Sequence, residues 1–359
     1  MKPKSHIADL FVYEPGRPIE EVAREVGFDD PSQLVKLASN ENPLGPSPKA
    51  IEAMRACASE MHLYPDGGCF YLRQGVASHW GVKPEELIFG AGSNEIIELL
   101  GHVFLEPGTN IVMSEQAFII YHLIAAGWGA ETRFVPSQNF AHDLDAMLTQ
   151  IDEQTRIVFV ANPNNPTGTL LPREAVEAFV AAVPEHVLVV LDEAYIELID
   201  AKDQPAPAPR RNLMRLRTFS KSYGLAGLRI GYGMGHPEVI QWLEKFRQPF
   251  NVTAMAQKAA LAALSDYEHL ENMIRVTRDG LEAFTTFSES IGIEMVPSVA
   301  NFVLLKTGEG RVVFEQLKNR GVIVRPMDGY GLPEYIRVSI GLQADNEAFF
   351  NALDPELLA

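Results

Sequence analysis

Three short strand-like segments of the chain, two of them wholly apolar, each run directly into a cluster of polar residues, and this feature constrains the fold more than any other. The apolar segments are residues 157–161 and 187–191, the third strand-like segment is 214–219, and the polar stretches that follow are Asn162 to Gly168, Asp192 to Tyr195, and Ser220-Lys221. Uninterrupted apolar runs of this length are typical of strands buried on both faces of a sheet. Open α/β sheets bind ligands beyond the carboxyl ends of their strands, so these polar clusters predict one shared site.

The remaining sequence continues to alternate between strand-like and helical patterns, which predicts an α/β protein with two domains. A length of 359 residues suits one large domain with a smaller one attached. We expect an N-terminal arm over residues 1–35 that belongs with the smaller domain, a large ligand-binding domain over 36–266, and the smaller domain over 267–359. An interdomain helix is expected to start near residue 236.

Lys221 is the candidate reactive residue, because it lies in a stretch of small, hydroxylated and glycine residues. Burial and nearby cations lower the pKa of a lysine amine, and the neutral amine forms a Schiff base with an aldehyde. Thr218, Ser220 and Arg229 together offer two hydroxyls and a guanidinium to a phosphate. The alternative interpretation is a glycine-rich surface loop with a solvated lysine.

Other candidate positions also have an ordinary structural interpretation. Ser93 and Asn94 follow a strand and two glycines, where a helix N-terminus favours an anion, but either residue also makes a common N-cap. Tyr64 lies in a turn, Phe118 suits a core position, and Asp192 suits a helix cap. Arg337 lies inside an apolar strand, which is unusual for arginine unless it faces a carboxylate or phosphate.

Composition excludes several classes of protein. A net charge of −17 argues against non-specific binding to nucleic acid and to anionic membranes. Cys57 and Cys69 form neither a disulfide framework nor a metal-binding spacing, and the nine histidines show no paired ligand spacing, so no metal site is expected. No signal peptide, membrane-length apolar run or dinucleotide-binding glycine motif is found, and a cytoplasmic location is expected.

The three strand ends together suit pyridoxal phosphate. A lysine bonds to its aldehyde, an aspartate keeps its ring nitrogen protonated, an amide and a tyrosine hold its ring oxygen, and hydroxyls with an arginine take its phosphate. At these motifs, Asn162 to Gly168, Asp192 to Tyr195, and Ser220-Lys221 with Arg229, the chain resembles fold-type I pyridoxal-phosphate aminotransferases. The resemblance covers nearly the whole chain and implies a large, doubly wound, mostly parallel sheet domain plus a smaller α/β domain.

The resemblance extends to the histidinol-phosphate branch of these enzymes. The residues that carry it are 13–22, 37–49 and 321–327. The chain departs from the commonest form of the branch at Leu63, where an arginine is usual, and at Cys69-Phe70. The resemblance therefore leaves a second candidate open, an aromatic or broad-specificity aminotransferase on the same scaffold.

Residue roles follow from the resemblance position by position. Lys221 would be the catalytic lysine, Asp192 the partner of the ring nitrogen, and Asn165 and Tyr195 the ligands of the ring oxygen, with Phe118 stacked on the ring. The cofactor phosphate would be held by Ser93, Asn94, Thr218, Ser220 and Arg229, and by Tyr64 of a neighbouring subunit. The substrate's anionic end would be held by Arg337, assisted by Arg325 and Tyr13.

The resemblance implies transfer of an amino group from L-histidinol phosphate to 2-oxoglutarate, giving imidazole acetol phosphate and glutamate in histidine biosynthesis. The expected partners are these small molecules and a second copy of the chain that shares the active sites. A phosphothreonine-type decarboxylase is a less favoured alternative, since it would begin with the same lysine and aspartate. A sensor domain of a regulator is disfavoured, because no DNA-binding module accompanies the acidic chain.

Overall fold

A computed structural model describes residues 2, 4–8, 10, 18–205 and 210–354 of the chain. The helices are α1 (Ser5–Ala8), α2 (Ile19–Val26), α3 (Pro48–Cys57), α4 (Phe70–Trp80), α5 (Ser93–Phe104), α6 (Ile120–Gly127), α7 (Leu144–Thr149), α8 (Arg173–Ala182), α9 (Pro237–Glu244), α10 (Ala254–Leu264), α11 (Tyr267–Ile291), α12 (Gly310–Asn319) and α13 (Gln343–Ala352). The strands are β1 (Val35–Lys36), β2 (Leu87–Gly90), β3 (Asn110–Ser114), β4 (Glu131–Val135), β5 (Thr155–Ala161), β6 (Leu188–Asp192), β7 (Leu213–Thr218), β8 (Gly231–Gly235), β9 (Met295–Val296), β10 (Phe302–Lys306), β11 (Val322–Ile323), β12 (Arg325–Pro326) and β13 (Tyr335–Ser339).

The largest sheet has seven strands in the order β2-β8-β7-β6-β5-β3-β4. The five strands from β7 to β4 are parallel neighbours, whereas β8 runs antiparallel to both β7 and β2. The three strand-like segments singled out in the sequence are β5, β6 and β7, and they lie side by side at the centre. Their carboxyl ends therefore meet at one edge of the sheet, as the sequence predicted.

Both faces of this sheet are covered by helices, which makes the doubly wound α/β fold expected from the resemblance. Successive residues of β5 alternate between the faces: Ile157 and Phe159 pack with α5, α6 and α9, whereas Val158 and Val160 pack with α7 and α8. At the other end, Phe89 and the neighbouring β8 pack with α3, α4 and α10. Because every β5 residue from Ile157 to Ala161 is buried, the strand needs apolar side chains on both faces.

A smaller, four-stranded antiparallel sheet has the strand order β12-β13-β10-β9. Its core includes Phe284 of α11 and Phe349 of α13. The N-terminal segment joins this part of the chain, since β1 pairs in parallel with β11 and Glu25 of α2 forms an ion pair with Lys318 of α12 at 2.9 Å. The division into domains at residues 36 and 267 stays a prediction.

Residues 237–291 form three helices, with breaks after α9 and after α10. Between α9 and α10, Phe250 has a positive φ of 61°, and the Thr253 side chain accepts a hydrogen bond from the N–H of Ala256 to start α10. The longest helix, α11, packs against β10 of the smaller sheet and against α13. Among the described residues, no helix combines the length and the apolar character needed to span a bilayer.

Candidate active site

A cavity of about 170 Å³ lies where the carboxyl ends of β5, β6 and β7 meet the N-terminus of α5. Ten of the residues singled out in the sequence line it: Ser93, Asn94, Phe118, Asn165, Asp192, Tyr195, Thr218, Ser220, Lys221 and Arg229. They come from five separate stretches of the chain. The topology alone brings them together, because parallel neighbouring strands deliver their following loops to the same edge.

Lys221 follows β7 in a tight loop whose shape depends on glycine. Gly224 has a φ of +70°, and a Cβ there would come within 2.2 Å of the carbonyl oxygen of Gly45. The Nζ of Lys221 donates a hydrogen bond to the carbonyl oxygen of Ser39 at 3.1 Å. Burial, aided by the positive charge of Arg337 and opposed by the negative charge of Glu41, lowers the pKa of Lys221 from 10.5 to about 8. A useful fraction of the amine is therefore neutral, and nucleophilic, near pH 7.

Asp192 is the last residue of β6 and is buried at the base of the cavity. Its carboxylate accepts hydrogen bonds from the Tyr121 hydroxyl at 2.6 Å and from the N–H of Ala194 at 3.1 Å. Burial raises the pKa of Asp192, and these two hydrogen bonds act in the opposite direction. A buried carboxyl held in this way is suited to pair with a cation in the cavity.

One end of the cavity is built to receive an anion. Gly92 precedes α5, so no side chain caps the first turn of that helix, which begins with Ser93 and Asn94. Gly92 has a φ of +80°, and a Cβ at that position would lie 2.6 Å from a guanidinium nitrogen of Arg229. Glycine thus leaves room for the arginine beside the helix N-terminus, where both favour negative charge. Ser220 and Thr218 add hydroxyl groups to the same lining.

Asn165 and Tyr195 lie where the larger sheet faces the smaller one. The Arg337 side chain in β13 donates to Asn165 Oδ1 at 2.6 Å and to the carbonyl oxygen of Ala38 at 3.1 Å. The Tyr195 oxygen accepts a hydrogen bond from Asn40 Nδ2 at 3.0 Å. Burial raises the pKa of Tyr195 to about 12, with Arg337 and Asn40 opposing it, so the phenol keeps its proton at neutral pH.

Four of the residues expected at the site do not line the cavity or lie outside the described residues, and one of them, Arg337, is hydrogen-bonded to the lining residue Asn165. Tyr64 is 83% exposed and stacks on Phe250, with ring centroids 4.8 Å apart. Arg325 in β12 is directly opposite Arg337 in the antiparallel register, so both side chains lie on one face of the smaller sheet, but Arg325 does not line the cavity. Tyr13 lies outside the described residues.

Phe118, by contrast, lines the cavity and meets the Tyr121 ring edge to face, with ring centroids 5.6 Å apart.

Two residues of the site were not identified from the sequence. Tyr121 is absent from the sequence candidates, yet its hydroxyl holds Asp192, and its N–H bonds to the Phe118 carbonyl oxygen in one turn at 3.2 Å. Asn40 was not singled out at all. The signal for it was weak, an asparagine in a turn-rich segment, where this residue type tolerates the left-handed φ of 55° that it adopts.

Comparison with known proteins gives one consistent result. Residues 32–353 match the family model described as aminotransferase class I and II. The chain is 48% identical to a histidinol-phosphate aminotransferase of Akkermansia muciniphila over 95% of this chain and 94% of that protein. It is 47% identical to a histidinol-phosphate aminotransferase of Methylobacillus flagellatus over 98% and 96% of the two chains.

A solved structure shares the fold over almost the full length. The crystal structure of histidinol-phosphate aminotransferase from Sinorhizobium meliloti, in complex with pyridoxal 5′-phosphate, superimposes with a TM-score of 0.90 and is 29% identical. The match covers 99% of this chain and 97% of that one. The family model and the relatives both extend over the larger and the smaller sheet, and over every strand end that lines the cavity. The chain therefore belongs to the aminotransferase class I and II family.

Proposed function

We propose that this aminotransferase uses pyridoxal phosphate to transfer an amino group from L-histidinol phosphate to 2-oxoglutarate. The observation that carries the proposal is one cavity that combines a lysine of lowered pKa, a buried aspartate and an uncapped helix N-terminus beside an arginine. When bound, pyridoxal phosphate supplies an aldehyde that bonds to a lysine amine and an aromatic ring that accepts electrons from the substrate. The donor set fits this group, and Arg229, for which Gly92 leaves room beside the helix N-terminus, suits its phosphate.

The chain's own residues then divide the work of holding the cofactor. Arg229, the N-terminus of α5 and the hydroxyls of Ser220 and Thr218 bind the phosphate. Asp192, which accepts a hydrogen bond from Tyr121, would face the protonated ring nitrogen, while Asn165 and Tyr195 would bind the ring oxygen.

Lys221 is assigned both the covalent and the proton-transfer role. Once the substrate's amine has replaced it on the cofactor, the freed Nζ would take the proton from the substrate's Cα and would be the group that returns it. A pKa of about 8 suits this task, because the amine gains and loses a proton at small cost near neutral pH.

Arg337 is assigned to the anionic end of both substrates. It is buried, with 7% exposure, and its guanidinium lies between Asn165 and the Ala38 carbonyl at the side of the cavity that faces the smaller sheet. Histidinol phosphate carries a phosphate and no α-carboxylate, whereas glutamate carries carboxylates, so one anchor has to accept both groups. Arg325, on the same face of the sheet, and Tyr13 are assigned as its assistants.

We also propose a cytoplasmic homodimer in which Tyr64 of each subunit reaches the cofactor phosphate of the other. Its support is the exposure of large apolar side chains around Tyr64: Met61, Leu63, Phe70, Tyr71 and Phe250 are each more than 40% exposed. Exposed apolar residues grouped in this way mark interaction surfaces. Tyr64 lies on that surface and outside its own chain's cavity, as a residue shared between subunits would.

A half-reaction measurement tests the substrate assignment. The yellow holoenzyme is mixed separately with L-histidinol phosphate, phenylalanine, tyrosine and phosphothreonine, and the visible absorbance of the bound cofactor is followed in a single turnover. We expect rapid loss of this absorbance with histidinol phosphate alone. Rapid loss mainly with phenylalanine and tyrosine would replace the proposal with an aromatic aminotransferase, and a preparation with no visible cofactor band would refute it altogether.

A further inference from the structure

The segment that contains Asn40 lies across the cavity and contacts both sheets. On the side of the larger sheet, the Ser39 carbonyl accepts from Lys221 and the Asn40 side chain donates to Tyr195. On the side of the smaller sheet, Ser339 of β13 and Asn301 bind Asn40 itself, and Asn301 Nδ2 donates to its carbonyl oxygen at 3.1 Å. Asn40 is 1% exposed, and all of its polar groups have partners within the protein.

The Asn40 amide is oriented with its oxygen toward Ser339 and its nitrogen toward Tyr195. The Ser339 Oγ accepts from the backbone N–H of Asn40 at 2.8 Å, and its single hydrogen is donated to Asn40 Oδ1 at 3.0 Å. The oxygen of the Asn40 amide is thereby bound to Ser339, and the amide nitrogen lies 3.0 Å from the Tyr195 hydroxyl oxygen. An amide nitrogen only donates, so the Tyr195 oxygen is an acceptor in this contact.

The Tyr195 proton must then be directed elsewhere. Among the described residues, no protein group accepts it, and the Tyr195 side chain lines the cavity. We propose that Asn40 is a positioning residue that makes Tyr195 a hydrogen-bond donor into the cavity. The inference rests on the proposed function, in which the group that receives this proton is the ring oxygen of the cofactor.

This direction has a measurable consequence in the holoenzyme. With pyridoxal phosphate bound, a hydrogen bond from Tyr195 to the ring oxygen would compete with one from the protonated nitrogen that Lys221 would contribute. A Tyr195 donor would therefore favour the unprotonated nitrogen and would lower the pH midpoint of the visible absorbance change. The charged and titratable groups that face Tyr195 are Arg337, Asp192, Lys221 and Tyr330, and they stay unchanged in the variants that test Asn40.

Asn40→Asp reverses the contact, because a carboxylate accepts the Tyr195 proton and turns it away from the cavity. Aspartate tolerates the left-handed backbone of residue 40, so the segment keeps its path. The experiment is a pH titration of the visible absorbance of purified holoenzyme, for Asn40→Asp in the native and in the Tyr195→Phe background. The added negative charge raises the midpoint in both backgrounds, whereas loss of the Tyr195 donor raises it only where Tyr195 is present.

We expect the upward shift to be larger in the native background by on the order of one pH unit, which is a tenfold change in the protonation equilibrium. Asn40→Gly, which suits the positive φ and adds no charge, is expected to raise the midpoint only when Tyr195 is present. Asn42→Asp is the matched control, since the Asn42 side chain donates to the Ser222 carbonyl at 2.9 Å instead of to Tyr195. Its shift should be equal in the two backgrounds.

Equal shifts for Asn40→Asp in the two backgrounds, or an Asn40→Gly midpoint unchanged from the native value, would overturn the proposal for Asn40. Both results can be measured only in a protein that shows the visible absorbance band of the bound cofactor. A native protein without that band refutes the proposed function instead, so the two failures are distinguishable.

Discussion

The amine of Lys221 should titrate near pH 8 in the cofactor-free protein. Burial lowers its pKa from 10.5 to about 8, and the positive charge of Arg337 adds to the effect while Glu41 opposes it. At pH 7 a pKa of 8 leaves roughly one amine in ten neutral, whereas a pKa of 10.5 leaves about one in 3,000. The site therefore raises the neutral, reactive fraction about 300-fold at that pH.

The assay is trace labelling of the amine with acetic anhydride between pH 6 and pH 11, with the Lys221 peptide quantified by mass spectrometry. A lysine-containing model peptide in the same tube reports the reactivity of the reagent at each pH. The midpoint of the labelling curve is the measured quantity, since restricted access of the reagent slows labelling at every pH but does not move the midpoint.

Two variants should move this midpoint in opposite directions. Arg337→Gln removes a cation that disfavours the protonated lysine, so the midpoint should rise, and Glu41→Gln removes an anion that favours it, so the midpoint should fall. A native midpoint above pH 10, or shifts of the same sign in both variants, would refute the reasoning that burial and these two charges set the reactivity of Lys221.

Two further predictions concern groups around the cavity. Glu193→Gln should destabilise the protein by about 3–5 kcal/mol in urea unfolding, because it leaves the buried guanidinium of Arg217, paired at 2.8 Å, without its counter-ion. Glu177→Gln, in the surface pair with Arg173, is the control and should change stability by less than about 1 kcal/mol, and equal losses would contradict a special role for the buried pair. Arg229→Gln should weaken pyridoxal phosphate binding roughly 10- to 100-fold in a fluorescence titration, as expected for a charge-assisted hydrogen bond. An unchanged dissociation constant would remove Arg229 from the phosphate site.

The central strands were predictable because burial on both faces leaves an unmistakable pattern in the sequence. Every residue of β6 is buried. Its apolar residues follow one another without the polar positions that a surface helix or a half-exposed strand would show. Helix α4 was not predicted. Gly75 in its middle weakens the helical signal, and a Cβ there would lie 2.5 Å from Leu261 of α10, so any larger residue would have to displace the Leu261 side chain.

The site was predictable to the extent that its residues follow strand ends. The contacts that orient them were not, because they join distant parts of the chain. Tyr121 meets Asp192 across 71 residues of sequence, and Asn40 meets Tyr195 across 155. Such pairs depend on how the loops pack against each other, and no local propensity or spacing encodes that packing.

The acidic composition and the proposed anionic ligands are compatible, because the sign of a site is set locally. The chain carries a net charge of −17, but at physiological ionic strength exposed charges beyond about 8 Å are largely screened. Two basic side chains, Lys221 and Arg229, line the cavity, and Arg337 lies at its side. Among the described residues of the lining, Asp192 supplies the one carboxylate. That carboxylate is placed to meet a protonated ring nitrogen, so it does not cancel the cations that face the phosphate. The overall charge then governs solubility and disfavours polyanionic partners, while the helix N-terminus and the arginines decide what the cavity binds.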